Sequence, residues 1–167
     1  VIVVGDPATV TDLALLFEGA PRFLDRLVGA GPYPDWETLF VRAEAIALAM
    51  PEDEQIELID AHPRLGAPPA SVSSMSHAEQ GYDRDTRAAV AELAVLNEQY
   101  ERRFGFRYCV FVAGRSRPEL VPELRARLGA DRDAERERAL RDVIAIARDR
   151  RRKLSERSSQ VPREGGP

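Results

Sequence analysis

Trp36-Glu37-Thr38-Leu39-Phe40-Val41-Arg42-Ala43-Glu44-Ala45-Ile46-Ala47-Leu48-Ala49-Met50 is the stretch that decides the fold. Trp36, Leu39, Phe40, Ala43, Ile46, Ala47 and Met50 recur at steps of three and four, which on a helical period gathers them into one apolar stripe. Pro34-Asp35 before it and Pro51 after it are start and stop signals. The same period continues on both sides. Upstream, a helix starting near Thr9 or Thr11 carries Val10, Leu13, Ala14 and Phe17. Gly19-Ala20-Pro21 interrupts it, and a second helix carries Phe23, Leu24 and Leu27 to Gly29. Downstream, Glu52 to Ala61 turns Ile56 and Ile59 inward. Pro63 drives its predecessor out of the α region, so this helix ends near His62.

Residues 66 to 74 are rich in Pro, Ala and Ser and read as an ordered loop between helices. A long helix follows from about Arg84 to Phe104, with Val90, Leu93, Leu96, Tyr100 and Phe104 on one side and Gly105 as its C-cap. Ser116 caps a helix from Pro118 to Leu128. Asp131 caps the last, which carries Leu140, Val143, Ile144, Ala147 and Leu154. Tyr108-Cys109-Val110-Phe111-Val112 alone has strand-like propensity. One such run makes no sheet, so it is a buried extended segment or a helix start. Six to eight helices without a strand pair predict an all-α, single-domain helical bundle over residues 1–155. A polar, Gly/Pro-containing tail over 156–167 is expected to be disordered.

The chain has 167 residues, 44% of them apolar, which suits one domain with a real core. Its net charge is −4, and its arginines alternate with Asp and Glu, which argues against a nucleic-acid partner. Arg148 to Lys153 is the exception and reads as a cationic helix end complementing the helix dipole. The single cysteine, Cys109, rules out an intramolecular disulfide, fits a reducing compartment, and reads as a small core residue. No apolar run reaches the length of a membrane span. The opening Val1 to Gly5 is too short for a secretory signal, so a cytoplasmic protein is expected.

Two histidines are available, His62 and His77. Read alone, His62 is more naturally a helix cap bonding a carbonyl. Its pKa range also suits a general acid or base. Ser76-His77-Ala78-Glu79-Gln80 reads as a capping box opening a helix. The same first turn would offer free N–H groups, a carboxylate and an amide to a small anionic ligand. A metal site is not expected, since there is no helical His pair and no Cys or Asp cluster. A phosphate loop and a nucleophile elbow are absent as well.

Four elements stand in order: Ala61-His62-Pro63-Arg64-Leu65-Gly66; Ser76-His77-Ala78-Glu79-Gln80; Leu96-Asn97-Glu98-Gln99-Tyr100 leading into Phe104-Gly105-Phe106; and Arg127-Leu128 before an acid-rich helix. Over residues 12 to 154 this resembles the 2-oxo-4-hydroxy-4-carboxy-5-ureidoimidazoline (OHCU) decarboxylase family. The resemblance implies an all-helical, cofactor-free homodimeric enzyme of urate breakdown that forms (S)-allantoin and carbon dioxide from a small ureide. It implies His62 as the catalytic histidine, with Glu79 orienting the substrate and steering protonation. Pro63, Ser76 and Gln80 would surround the ligand, and the backbone of Tyr108, Cys109, Val110, Phe111 and Val112 would hold its rings. The family often has an arginine just after that segment. Here Ala113 stands there, and Arg115, two residues on, is the expected carboxylate partner. Gly81-Tyr82-Asp83 also departs from the family's small-residue pair. These departures leave open another ureide or hydantoin-like acid as substrate. A non-catalytic helical interaction module, with His62 a cap, is the remaining alternative.

Overall fold

The computed structural model describes residues 1–3, 7–66 and 87–160. These hold seven helices: α1 (Pro7–Leu16), α2 (Pro21–Gly29), α3 (Trp36–Ala49), α4 (Glu52–Asp60), α5 (Arg87–Phe104), α6 (Arg117–Arg127) and α7 (Arg132–Gln160). The fold is all-α, as the periodicity requires. The one strand-like pairing among the described residues is the bridge between Ile2 and Tyr33. None of the described helices is long and apolar enough to cross a membrane.

The stripe on α3 faces the core as expected: Leu39, Phe40, Ala43, Ala47 and Met50 are buried, and Trp36 and Ile46 pack at its margin. Asp35 accepts the Thr38 N–H at 2.7 Å and so caps the helix. Helix α7 is the spine. At 29 residues it is about 43 Å long, and it packs against α1, α3 and α4. Asp131 starts it, accepting from the Asp133 and Ala134 N–H groups at 3.0 Å each. Helix α6 opens on Ser116, whose N–H donates to the Glu119 carboxylate at 2.7 Å.

Several boundaries and faces differ from expectation. Helix α1 starts at Pro7, and Val10 points outward while Leu13, Leu16 and Phe17 fill the core. On α4 the inward residues are Gln55, Leu58 and Ile59, with Ile56 only half-buried. Gln55 is tolerated inside because its amide donates to the Ala47 and Leu48 carbonyls at the end of α3. On α5 Ala89 takes the inward place expected of Val90. Helix α7 runs to Gln160, past the expected tail boundary at Ser155, carried by ion pairs such as Arg152 with Glu156 at 2.7 Å. The loop expected over 66–74 and the helix expected to open at Ser76 lie almost wholly outside the described residues.

Helix α5 is joined to α7 by a buried polar link. The Tyr100 hydroxyl donates to Glu135 Oε1 at 2.8 Å, and Glu135 also accepts from Arg138 Nε at 2.8 Å. Around Tyr100 the rings of Phe104, Phe106 and Tyr108 close in at 4.5, 5.8 and 5.1 Å. Replacing Tyr100 with Phe keeps the ring packing and deletes only the bond to a buried carboxylate. Urea titration of Tyr100→Phe is expected to show a loss of about 2 kcal/mol with an unchanged m-value.

Candidate active site

Helix α4 ends where Pro63 dictates. Ala61 still has helical dihedrals, and the His62 N–H reaches back to the Ile59 carbonyl at 3.1 Å. The side chain folds under the helix end. Its Nδ1 lies 3.3 Å from the Leu58 carbonyl, which makes Nδ1 the protonated nitrogen and leaves a lone pair on Nε2. That Nε2 is buried and has no hydrogen-bond partner among the described residues. Both readings of His62 therefore meet in one ring: one nitrogen caps, and the other is an unused base. Burial, with Arg150 nearby, pushes the imidazole pKa down to about 4, while Glu18 and the Leu58 carbonyl oppose the shift. His62 is neutral at neutral pH.

His62 sits on the wall of a cavity of about 450 Å³, with Pro63 and Leu65 beside it. The size suits a small-molecule site. Asn97, from the Asn-x-x-Tyr motif, donates to the Leu65 carbonyl at 2.8 Å and so pins this turn to α5.

The facing wall is the segment 108–112, which runs outside any helix or turn. Arg107 ties its start to α4, donating through its backbone N–H to Asp60 Oδ1 and through its guanidinium to the Asp60 and His62 carbonyls, at 2.8, 2.8 and 3.3 Å. In extended chain the backbone groups of alternate residues point to opposite edges. Cys109 and Phe111 aim at the scaffold: Arg138 donates to the Cys109 carbonyl at 3.0 Å, and the Phe111 N–H donates to Asp142 at 3.2 Å. Among the described residues nothing bonds the N–H or C=O of Val110 or the N–H of Val112. The segment ends in a tight turn closed by the Arg115 N–H on the Val112 carbonyl at 3.0 Å. Its middle residues, Ala113 and Gly114, both have positive φ, at 51° and 76°.

The third wall is α7, through Ile146, Asp149, Arg150, Arg152 and Lys153. Arg150 has no exposed surface. It donates to the Leu15 and Leu16 carbonyls at the end of α1, at 3.1 and 3.3 Å, and to Glu18 at 2.8 Å. Asp149 is engaged by Arg152 and Lys153 at 2.6 Å each. Burial alone would raise its pKa, but these two cations outweigh it and lower it.

Two expectations change. Arg115 does not line the cavity. Its guanidinium braces the wall from behind, donating to the Val112 and Phe111 carbonyls at 3.0 and 2.8 Å and pairing with Glu123. The basic run Arg148 to Lys153 is not a helix end, because α7 continues beyond it. It carries the cavity's cations instead. The signal was present in the sequence: Arg150 follows Val143 by seven residues and Ala147 by three, so it lies on the buried stripe. Cys109 is buried and lines the cavity wall. Ser76, Glu79 and Gln80 lie outside the described residues, as does His77. No group of potential metal ligands occurs among the described residues.

The family model described as OHCU decarboxylase matches residues 4–152. The chain belongs to the OHCU decarboxylase family. It is 32% identical over 149 residues to the uric acid degradation bifunctional protein PucL of Bacillus subtilis, covering 87% of this chain and 30% of that protein. It is 26% identical over 157 residues to a 2-oxo-4-hydroxy-4-carboxy-5-ureidoimidazoline decarboxylase of Haloferax volcanii, covering 92% and 91% of the two chains. The chain thus spans less than half the length of the bifunctional relatives it matches. A crystal structure of OHCU decarboxylase in the presence of (S)-allantoin superposes with a TM-score of 0.71 at 25% identity, covering 87% of this chain and 98% of that one.

The depressed His62 pKa has a consequence for stability. Between about 6.5 and about 4 the unfolded chain binds a proton that the native imidazole refuses. The stability from keeping His62 neutral is therefore complete above the upper value and erodes as pH falls, by up to about 1.4 kcal/mol per pH unit. Denaturation of wild type and His62→Gln across this window is expected to show the steeper acid slope in wild type. Parallel slopes would mean the imidazole titrates normally.

Proposed function

We propose that this chain is a cofactor-independent decarboxylase that converts OHCU into (S)-allantoin and carbon dioxide. The observation carrying the proposal is a neutral, buried imidazole with a free Nε2, on the wall of one cavity with a buried guanidinium and an unsatisfied stretch of main chain. Each feature answers a part of the substrate's own name. The 4-carboxylate is met by the positive charge of Arg150. The 4-hydroxyl is within the chemistry of His62 Nε2, which accepts its proton. The 5-ureido group and the ring lactam carry paired N–H and C=O groups, and Val110 and Val112 present the complementary N–H, C=O and N–H along one edge.

In the reaction, the bond from the ring carbon to the carboxylate breaks and carbon dioxide departs. Its electron pair is taken up by the ring system, where a ring nitrogen gains a proton from solvent, while the hydroxyl proton passes to His62 and the hydroxyl becomes a carbonyl. A proton delivered to one face of the neighbouring carbon sets the S configuration. Glu79 is assigned to that orienting step, and Pro63, Ser76 and Gln80 to the ligand's surroundings, on the family resemblance. A dry cavity favours the chemistry, because a carboxylate removed from water loses the hydration that stabilises it relative to carbon dioxide. The same edge suits other ureides or hydantoin-like acids. The relatives named for urate degradation and for OHCU decarboxylation favour OHCU. A cytoplasmic homodimer belongs to this reading through the family resemblance.

Optical activity, followed after generating OHCU in situ, tests the proposal. Wild type is expected to yield (S)-allantoin rapidly and His62→Ala only at the spontaneous rate; equal rates would sink the assignment. Arg150→Lys keeps the charge but loses the planar fork, and is expected to lower kcat/KM by about 10- to 100-fold. Arg115→Lys, behind the wall, is expected to cost several-fold less.

A further inference from the structure

A lone extended segment cannot fix its own geometry. In a sheet, a neighbouring strand would hold it through paired N–H and C=O groups. Here two side chains of α7 stand in for that neighbour. Arg138 Nη1 donates to the Cys109 carbonyl at 3.0 Å and to Asp142 Oδ2 at 2.7 Å. The same Oδ2 accepts the Phe111 N–H at 3.2 Å. The chain of bonds runs unbroken from Cys109 through Arg138 and Asp142 to Phe111. The spacing explains why it closes. Residues four apart on a helix rise about 6 Å, and residues two apart on an extended chain span about 6.7 Å.

We infer that the Arg138–Asp142 pair is a positioning device for substrate binding. By holding the odd-numbered residues, it fixes the direction in which the Val110 and Val112 main-chain groups face the cavity. This rests on the proposed function only in naming what that edge binds. The pair itself does not line the cavity, so it acts through the segment. Burial raises the Asp142 pKa, and Arg138 and the Phe111 N–H oppose it. Arg138 also keeps Glu135 at 2.7 Å. Removing the Asp142 charge therefore leaves the buried guanidinium paired, and the fold has no reason to collapse.

The pair is tested with Asp142→Ala and Asp142→Asn in the full chain. An edge that binds ground and transition states alike affects KM more than kcat. Asp142→Ala is expected to raise KM for OHCU by about tenfold with kcat within about threefold, an effect of about 1.4 kcal/mol. Asn keeps an acceptor for the Phe111 N–H, so Asp142→Asn is expected to recover most of the loss. Unchanged KM in every folded variant, or a fall in kcat alone, overturns the inference; should the Ala variant fail to fold, Asn decides it with an expected KM rise of about threefold. Amide hydrogen exchange separates this from failure of the functional reading. If wild type turns over no OHCU, faster exchange of the Phe111 N–H in Asp142→Asn, with shifted Val110 and Val112 amide resonances, still supports the clamp. Unaltered exchange and resonances refute it.

Discussion

Burying a guanidinium costs several kcal/mol of lost hydration unless its N–H groups are answered. Arg150 is answered by the Leu15 and Leu16 carbonyls and by Glu18. A helix end leaves its last carbonyls without partners, so the cation and the terminus of α1 resolve each other's deficit. The arrangement fixes where α1 ends against the last third of α7. It also puts a fixed positive charge on the wall of the cavity that holds His62. That charge, already paired with Glu18, helps keep the imidazole neutral, and on the proposed reading it also faces the substrate carboxylate. The stability of the first helix and the electrostatics of the site thus depend on one side chain.

The second organising constraint is the unpaired segment 108–112. Buried backbone groups need partners, and here α7 and Arg115 supply them to Cys109, Phe111 and the Val112 carbonyl. Arg107 anchors the segment's start to the end of α4, beside His62. His62 and the wall opposite it are therefore joined through three bonds of a single arginine rather than positioned independently. Behind them, Glu135 gathers Tyr100 and Arg138, so α5 shares the same frame.

The helices were legible because burial repeats with the helical period. The stripe on α3, the caps at Asp35 and Asp131, and the stop at Pro63 can all be read locally. His62 was legible as a cap, and the structure gives that role to Nδ1 while Nε2 has no hydrogen-bond partner among the described residues. The burial of Arg150 was missed because a basic run reads as a cationic helix end complementing the dipole, and only its place on the buried stripe separates it from Arg148 and Arg152. Arg115 is absent from the cavity lining because proximity in sequence to the wall says nothing about which side of it a long side chain takes. Ile56 and Val90 missed the core by one position, since Gln55 and Ala89 are accepted inside by a hydrogen bond and by close packing. Those outcomes depend on neighbours from distant parts of the chain.

The edge formed by Val110 and Val112 is built from atoms that every residue except proline possesses. Any side chain that packs at those two positions presents the same amide and carbonyl. On the proposed reading, such a surface tolerates drift in its letters while holding its chemistry constant. Its selectivity is written in the chain's path, and therefore in the residues that bend and pin that path. A comparison of side chains alone would find two valines and no sign of the proposed binding surface.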